Sequence, residues 1–284
     1  MKIYIVIPAH NEAEFIGKTL QSLVEQSFLP KKIVVVDDNS SDKTAEIVSG
    51  FCDKYPFISL VKNSSSEEHL PGSKVIYAFN IGYQTLDEEY DIICKFDADL
   101  IFPQDYLKTI RQHFQADPKV GIAGGFCSIL KNGNWVLENL TDSDHLRGAL
   151  KAYRKACFLS IGKLKPAMGW DTADELLAQF YGWSVKTDKE LLVQHLKPTG
   201  AIYNPTSRYK QGEAFYRLGY GFAITCIASA KLAYLKKDMR LFKDFLSGYF
   251  KAKKEKQPFL VTKQEGRFIR KLRWDKMRKK ILGS

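Results

Sequence analysis

Cysteine is sparse and unpatterned in this 284-residue chain: Cys52, Cys94, Cys127, Cys157 and Cys226 are scattered, odd in number and without any Cys-x-x-Cys. That usage fits reduced thiols packed as small hydrophobes and argues against a zinc site. No Gly-x-Gly-x-x-Gly follows the first apolar run and no Gly-x-x-x-x-Gly-Lys-Ser/Thr occurs, so a dinucleotide Rossmann site and a P-loop are both set aside. Long apolar runs are missing too. Met1-Lys2 leads into only residues 3–7 before Pro8, too short for a signal-peptide core, and the globular part is expected in the cytosol. Residues 218–235 are largely apolar but are interrupted by Lys231 and are short for a membrane span. There is no internal repeat.

What is present is a globular chain, 45% hydrophobic, able to bury one large core or a core plus an appendage. Residues 2–8 read as a buried strand, and Asn11-Glu-Ala-Glu14 opens a helix to about residue 26 in capping-box style. Residues 33–36 form a second apolar strand that ends in Asp37-Asp38-Asn39-Ser40-Ser41, where Ser40 or Ser41 caps a helix to about residue 49. A strand at 57–61, a polar loop at 63–69, Pro71-Gly72 and a helix over 73–86 follow. A helix from Pro103 to about residue 115 precedes a strand at 120–123, broken by Gly124-Gly125. Residues 127–130 and 135–140 pair across Asn132-Gly133, and a helical stretch lies near 146–156. A helix over 171–181 ends at Gly182, and a last strand covers 191–195. Strands alternating with helices over the first 125 residues predict an α/β class with a largely parallel sheet.

The run from Asp91 to Pro103 is the centre of this pattern, because its apolar strand delivers Asp97 and Asp99 together. Residues two apart on a strand share a face, and two adjacent carboxylates repel unless a cation or donors lie between them. A divalent metal with oxygen ligands, or a polyhydroxylated ligand, would satisfy them. The same spacing in Asp142-Ser-Asp144 lies in a polar stretch and reads as a solvated loop. The position of Asp97 and Asp99 separates them from that control, since open α/β sheets bind ligands at their strands' carboxyl ends.

The net charge of +11 is confined to one end. Residues 236–284 hold 17 Lys/Arg against 5 Asp/Glu, and the rest of the chain is near neutral. Aromatics interleave with those cations, a composition suited to an interface beside anionic lipid. A solvated helical cap is the plain alternative, and the basic tail is the only feature that favours a nucleic-acid partner.

Three segments in order, Val6-Ile-Pro-Ala-His-Asn-Glu12, Val35-Val-Asp-Asp-Asn-Ser-Ser-Asp-Lys-Thr44 and Phe96-Asp-Ala-Asp99, resemble the nucleotide-sugar-binding segments of family 2 glycosyltransferases. The resemblance extends to Gly169-Trp-Asp-Thr-Ala-Asp-Glu175 and His195-Leu-Lys-Pro-Thr-Gly200, and covers residues 1 to about 200. It implies a GT-A fold: a Rossmann-like, mostly parallel sheet flanked by helices over residues 1–205, with a helical, basic extension over 206–284. It further implies that Pro8, Ala9 and Glu12 line the nucleoside pocket, that Asp38 and Asp97 contact the nucleoside, and that Asp99 ligates Mg²⁺ or Mn²⁺ at the diphosphate. Asp174 falls where the family places its base, with Glu175 as the second choice because the family's preceding acid is Ala173 here. Without the resemblance, Asp171, Asp174 and Glu175 read as acids at a helix N-terminus. His195 matches a metal or diphosphate ligand or is only structural, Lys74 reaches a phosphate or is a surface lysine, and Trp170 is a wall for a sugar ring or a core residue. His145 and Arg147 lie in the acceptor-side segment.

The expected activity is an inverting, metal-dependent transfer from a nucleoside-diphosphate sugar to a saccharide or lipid-linked acceptor in cell-surface polysaccharide or glycolipid synthesis. The expected place is the cytoplasm, peripheral at the membrane's cytosolic face. A non-catalytic nucleotide-sugar-binding or scaffold protein on the same fold is the alternative.

Overall fold

The computed structural model describes residues 1–64, 72–138, 145–197 and 207–282. The Asp142/Asp144 control, most of the loop at 63–69, Pro71, the end of the strand expected to reach residue 140, and Pro198-Thr199-Gly200 lie outside the described residues.

The chain divides into two units, Met1–Pro166 with Trp170–Ala201, and Ala167–Gly169 with Ile202–Ser284. In the first, strands β1 (Ile3–Ala9), β2 (Lys32–Asp38), β3 (Ile58–Asn63) and β4 (Ile92–Phe96) lie parallel in the order β3-β2-β1-β4. Helices α1 (Ile16–Val24), α2 (Thr44–Lys54) and α3 (Ser73–Gln84) make the crossovers. Every residue of β1 is buried, as a strand covered on both faces requires. Beyond β4 the sheet turns mixed. β5 (Leu100–Ile101), β6 (Val120–Lys131), β8 (Leu150–Arg154) and β9 (Ser184–His195) continue it in the order β8-β6-β9-β5, and β7 (Asn134–Leu137) hairpins onto β6. Helices α4 (Tyr106–Ala116), α5 (Lys155–Ser160) and α6 (Trp170–Phe180) complete this unit. Parallel pairing brings the carboxyl ends of β1, β2 and β4 side by side, with Ala9 opposite Asp37.

The second unit is helical: α7 (Ser207–Arg217), α8 (Gly221–Leu235), α9 (Arg240–Lys254) and α10 (Lys263–Leu282). α7 and α9 cross at glycines. A Cβ on Gly212 would collide with the Phe245 carbonyl, and one on Gly248 with the Tyr209 carbonyl.

Four local expectations are corrected. Residues 146–156 are not helical: Leu150–Arg154 form β8, antiparallel to β4, and only then does α5 begin. Gly124-Gly125 does not break a strand, because β6 runs through both and only its register with β9 shifts between Gly124 and Phe126. There the backbones approach too closely for side chains, since Cβ atoms would strike the Leu150 and Leu191 carbonyls. β4 stops at Phe96, so Asp97 and Asp99 occupy the turn into β5 and strand alternation does not align them. Finally, α1 starts at Ile16 and α2 at Thr44, neither with a side-chain cap. Asn11 instead adopts φ 53° and ties the two loops together: its N–H donates to Ser40 Oγ at 2.9 Å and its Oδ1 accepts the Ser41 N–H at 2.8 Å.

Candidate active site

The turn bearing Asp97 and Asp99 is pinned by a polar stripe on the buried side of α1. Thr19 Oγ1 donates to the Ala98 carbonyl at 2.7 Å and accepts the Leu100 N–H at 3.0 Å, and Ser22 Oγ accepts the Phe102 N–H at 3.1 Å. Thr19 and Ser22 are three apart, so one helix face presents both. From the other side, the Asp97 N–H donates to the Ala149 carbonyl at 2.8 Å, just before β8.

The two acids then diverge. Asp97 is 34% exposed and ion-paired with Lys95, whose own side chain is 2% exposed within β4. Asp99 turns inward, and its Oδ2 lies 3.3 Å from His195 Nε2 at the end of β9. Glu138 accepts from His195 Nδ1 at 3.0 Å, and Arg147 is ion-paired to the same Glu138 carboxylate. A carboxylate only accepts, so Nδ1 carries a proton, and Nε2 is the ring nitrogen that faces Asp99. Asp99 and His195 thus set a carboxylate oxygen and a ring nitrogen side by side, a pair that could together hold a divalent cation such as Mn²⁺ or Mg²⁺. Cys127, Glu138 and His195 also bring ligand atoms within 4.8 Å of one another. Burial pushes the Cys127 thiol up to about 12, so it stays protonated and is a poor ligand for a hard cation.

Pro8 and Ala9 sit buried at the carboxyl end of β1. Glu12, in the loop that follows, pairs with Lys197 through Oε1 at 3.0 Å, while its buried Oε2 has no hydrogen-bond partner among the described residues. Burial raises the Glu12 carboxyl above its ordinary range, and the charges of Asp99 and Asp97 add to that, so Glu12 shares their field. Asp38 closes β2 and accepts from Asn63 Nδ2 at 2.6 Å. Lys74 stands half-buried in the first turn of α3, at the same carboxyl edge of the sheet because a crossover helix begins where its strand ends. Trp170, the first residue of α6, is buried, with Lys95 Nζ 5.3 Å and Lys151 Nζ 5.8 Å from its ring centroid.

Asp174 and Glu175 are buried and held by cations and donors of β8 and the segment before it. Asp174 is 2% exposed and accepts from Lys151 Nζ at 2.8 and 3.1 Å, Tyr153 Oη at 2.5 Å and the Glu175 N–H at 2.6 Å. Burial pushes its carboxyl up to about 6 against the pull of Lys151. Glu175 accepts from His145 Nδ1 at 2.8 Å and the Leu146 N–H at 2.9 Å, and pairs with Lys151 at 3.0 Å. Burial works to raise the Glu175 carboxyl, but Lys151 and His145 outweigh it and hold it below its ordinary range. The three acids share one face of α6 and differ in their place along it: Asp174 and Glu175, one turn further on, pack against Lys151 of β8, while Asp171 at the helix start is 35% exposed. Asp171 Oδ2 lies 3.9 Å from His145 Nε2, and its carbonyl accepts from Lys151.

Sequence reasoning missed Lys95, Lys151, Glu138 and Tyr153, and it named Asp171 only as a helix-end acid. Lys95 had a signal: it is a lone cation inside an apolar run, and such a charge is kept in a core only when paired. Glu138 had none, because His195, which it orients, is 57 residues away.

The sequence pattern of the family "Glycosyl transferase family 2" matches residues 4–155. The probable glycosyltransferase YdaM of Bacillus subtilis (strain 168) is 40% identical over 101 residues, 34% of this chain and 23% of that protein. The poly-beta-1,6-N-acetyl-D-glucosamine synthase of Staphylococcus aureus (strain COL) is 29% identical over 125 residues, 43% of this chain and 28% of that protein. The matched stretches thus span about a quarter of those relatives' length. Among solved structures, the mannosyltransferase PcManGT from Pyrobaculum calidifontis, in complex with GDP-Man and Mn²⁺, superposes with a TM-score of 0.57 at 18% identity, covering 76% of this chain and 62% of that one. That likeness places the fold among the GT-A glycosyltransferases. With its pattern matched over more than half of the chain and the acids gathered at the carboxyl edge of the sheet, the protein belongs to glycosyl transferase family 2.

Proposed function

We propose that this protein transfers a hexosyl or N-acetylhexosaminyl group from a nucleoside-diphosphate sugar to an acceptor hydroxyl, with inversion, in the synthesis of a cell-surface polysaccharide or glycolipid. The carrying observation is the meeting of Asp99 Oδ2 and His195 Nε2, 3.3 Å apart, beside Glu12 and Asp97 at the carboxyl edge of a parallel sheet. Pro8, Ala9, Glu12, Asp38 and Asp97 line the nucleoside side, and Lys74 stands at the same edge for the phosphates. Asp99 and His195 would hold Mg²⁺ or Mn²⁺. When bound, that ion supplies Lewis-acid neutralisation of the charge developing on the departing diphosphate. Glu138, held by Arg147, orients His195 by accepting its Nδ1 proton.

The base in this reading is Asp171, in place of Asp174 or Glu175. Its carboxylate is the solvent-reachable one of the three, and Trp170 beside it packs near Lys95, the partner of Asp97. Asp171 takes the acceptor hydroxyl proton as the oxygen attacks the anomeric carbon, and the bond to the diphosphate oxygen breaks with its electron pair on the leaving group. A single displacement of this kind inverts the anomeric centre. Lys151, Asp174 and Glu175 hold α6 against β8 so that Asp171 is presented at the helix start. The basic tail, in the same reading, faces an anionic membrane surface where a lipid-linked acceptor is presented.

The test is a screen of UDP- and GDP-sugars with Mn²⁺, Mg²⁺ or chelator, reading nucleoside diphosphate release and transfer to saccharide and lipid-linked acceptors. Metal-dependent release is expected, abolished in Asp99→Ala. Binding of nucleotide sugar without release or transfer under any condition would instead favour the non-catalytic scaffold.

A further inference from the structure

Helix α8 is apolar on every side, yet it is not enclosed. Its inward residues, Ile224, Thr225, Ser229 and Ala233, are buried. Ala223, Ile227, Ala230 and Tyr234 are all exposed, and their spacing of four, three and four residues puts them on one stripe of the helix. This is the spacing of a core-facing stripe, here turned outward. Tyr234 is 78% exposed and Leu235 61%. An ordinary solvent face carries charges at such positions, whereas the outward side of α8 has one, Lys231.

The stripe is flanked by cations. Phe222 of α8 contacts Phe250 of α9 with ring centroids 5.6 Å apart, so the apolar face runs onto the outer face of α9. That face presents Arg240, Lys243, Lys251 and Lys254, all exposed, and Lys236 and Lys237 follow the end of α8. α8 has 15 residues, about 22 Å at the helical rise, too short to cross a bilayer. No described helix is long and apolar enough to do so. An apolar helical face bordered by Lys and Arg lies in the plane of a membrane surface, with its side chains among the acyl chains and its cations at the headgroups.

We infer that the outer face of α8, flanked by the basic face of α9, is a docking surface for an anionic lipid bilayer. This deepens the reading of the tail given above and rests on it. A second copy of the chain fits less well, because pairing the stripes would bring two basic flanks together without a counter-charge.

Flotation of the full chain with phosphatidylcholine vesicles, alone or mixed with phosphatidylglycerol, tests this. The protein should float with the mixed vesicles and be released as salt is raised. Ile227→Asn combined with Tyr234→Asn, at exposed sites the fold does not need, should weaken that binding tenfold or more. Lys243→Gln, Lys251→Gln and Lys254→Gln together should erase the preference for anionic vesicles. Failure of the unaltered protein to float at low salt, or flotation of both variants like the unaltered protein, overturns the inference. So does a dimer that the apolar variant turns into a monomer without any vesicle binding, or retention on duplex DNA with none on lipid. Cleavage of the donor sugar in lipid-free solution should match the unaltered protein in both variants, which separates failure of the docking surface from failure of the transferase reading.

Discussion

The Glu138 carboxylate lies 3.0 Å from Nδ1 of His195, and because a carboxylate only accepts, this contact keeps a proton on Nδ1. Glu138→Gln keeps the volume but lets an amide donate to Nδ1, which permits the opposite tautomer. Mn²⁺ affinity measured by calorimetry should fall by roughly tenfold to a hundredfold, the range seen when an orienting partner of a metal ligand is lost. Nucleoside diphosphate binding in chelator should be unchanged. Equal Mn²⁺ affinity in the variant would remove Glu138 from the site.

Asp171 and Asp174 separate rate from stability. Asp171→Asn should lower kcat by about 10² to 10⁴, the span for loss of a general base, at near-normal melting temperature. Asp174→Asn should cost about 3 kcal/mol of folding stability, because Lys151 is fully buried and loses one of its two ion-pair partners among the described residues. Kinetics and denaturant titration of the two variants decide. A stable but inactive Asp174→Asn would return the base to Asp174.

His145 makes stability depend on pH. Burial works to lower its pKa, but the hydrogen bond and charge of Glu175 overcome this, with Asp171 aiding and Lys151 opposing, and the folded value is raised above 6.5. A raised value in the folded state means that protonated His145 stabilises the fold below pH 6.5, and that this contribution fades as pH climbs through the raised value. The melting temperature should therefore drop over that interval, and His145→Gln should flatten the drop. Parallel profiles for the two proteins would show that His145 is not the group responsible.

Gly125→Ala should destabilise the protein by about 2 kcal/mol or more, since the added Cβ would strike the Leu191 carbonyl and backbone cannot yield as a side chain can. Gly133→Ala has open space at its Cβ, though its φ of 80° carries its own backbone strain. Denaturation midpoints should rank Gly125→Ala clearly below Gly133→Ala, and the reverse order would contradict this close approach.

Much of the fold was legible because it is written locally. The continuous apolar runs of β1, β2 and β4, with acids or turn residues directly after them, mark buried parallel strands and the edge where ligands bind. Errors came where long-range pairing overrode the local pattern. Residues 150–154 are held extended by β4, and β6 passes through two glycines because β8 and β9 crowd it.

The sequence by itself determined the α/β class, the family, the basic tail and the placing of Asp97 and Asp99 just after a buried strand, because apolar period and turn residues act over a few positions. Only the tertiary structure decided how those acids differ and which carboxylate stays open. Asp97 faces Lys95, Asp99 faces His195, and Asp174 is turned into β8 against Lys151 while Asp171 is left at the surface. The physical reason is that a buried charge must find its counter-charge wherever packing places it. For Asp174 that is across 23 residues, and His195 finds its hydrogen-bond partner Glu138 across 57, separations that no local pattern records.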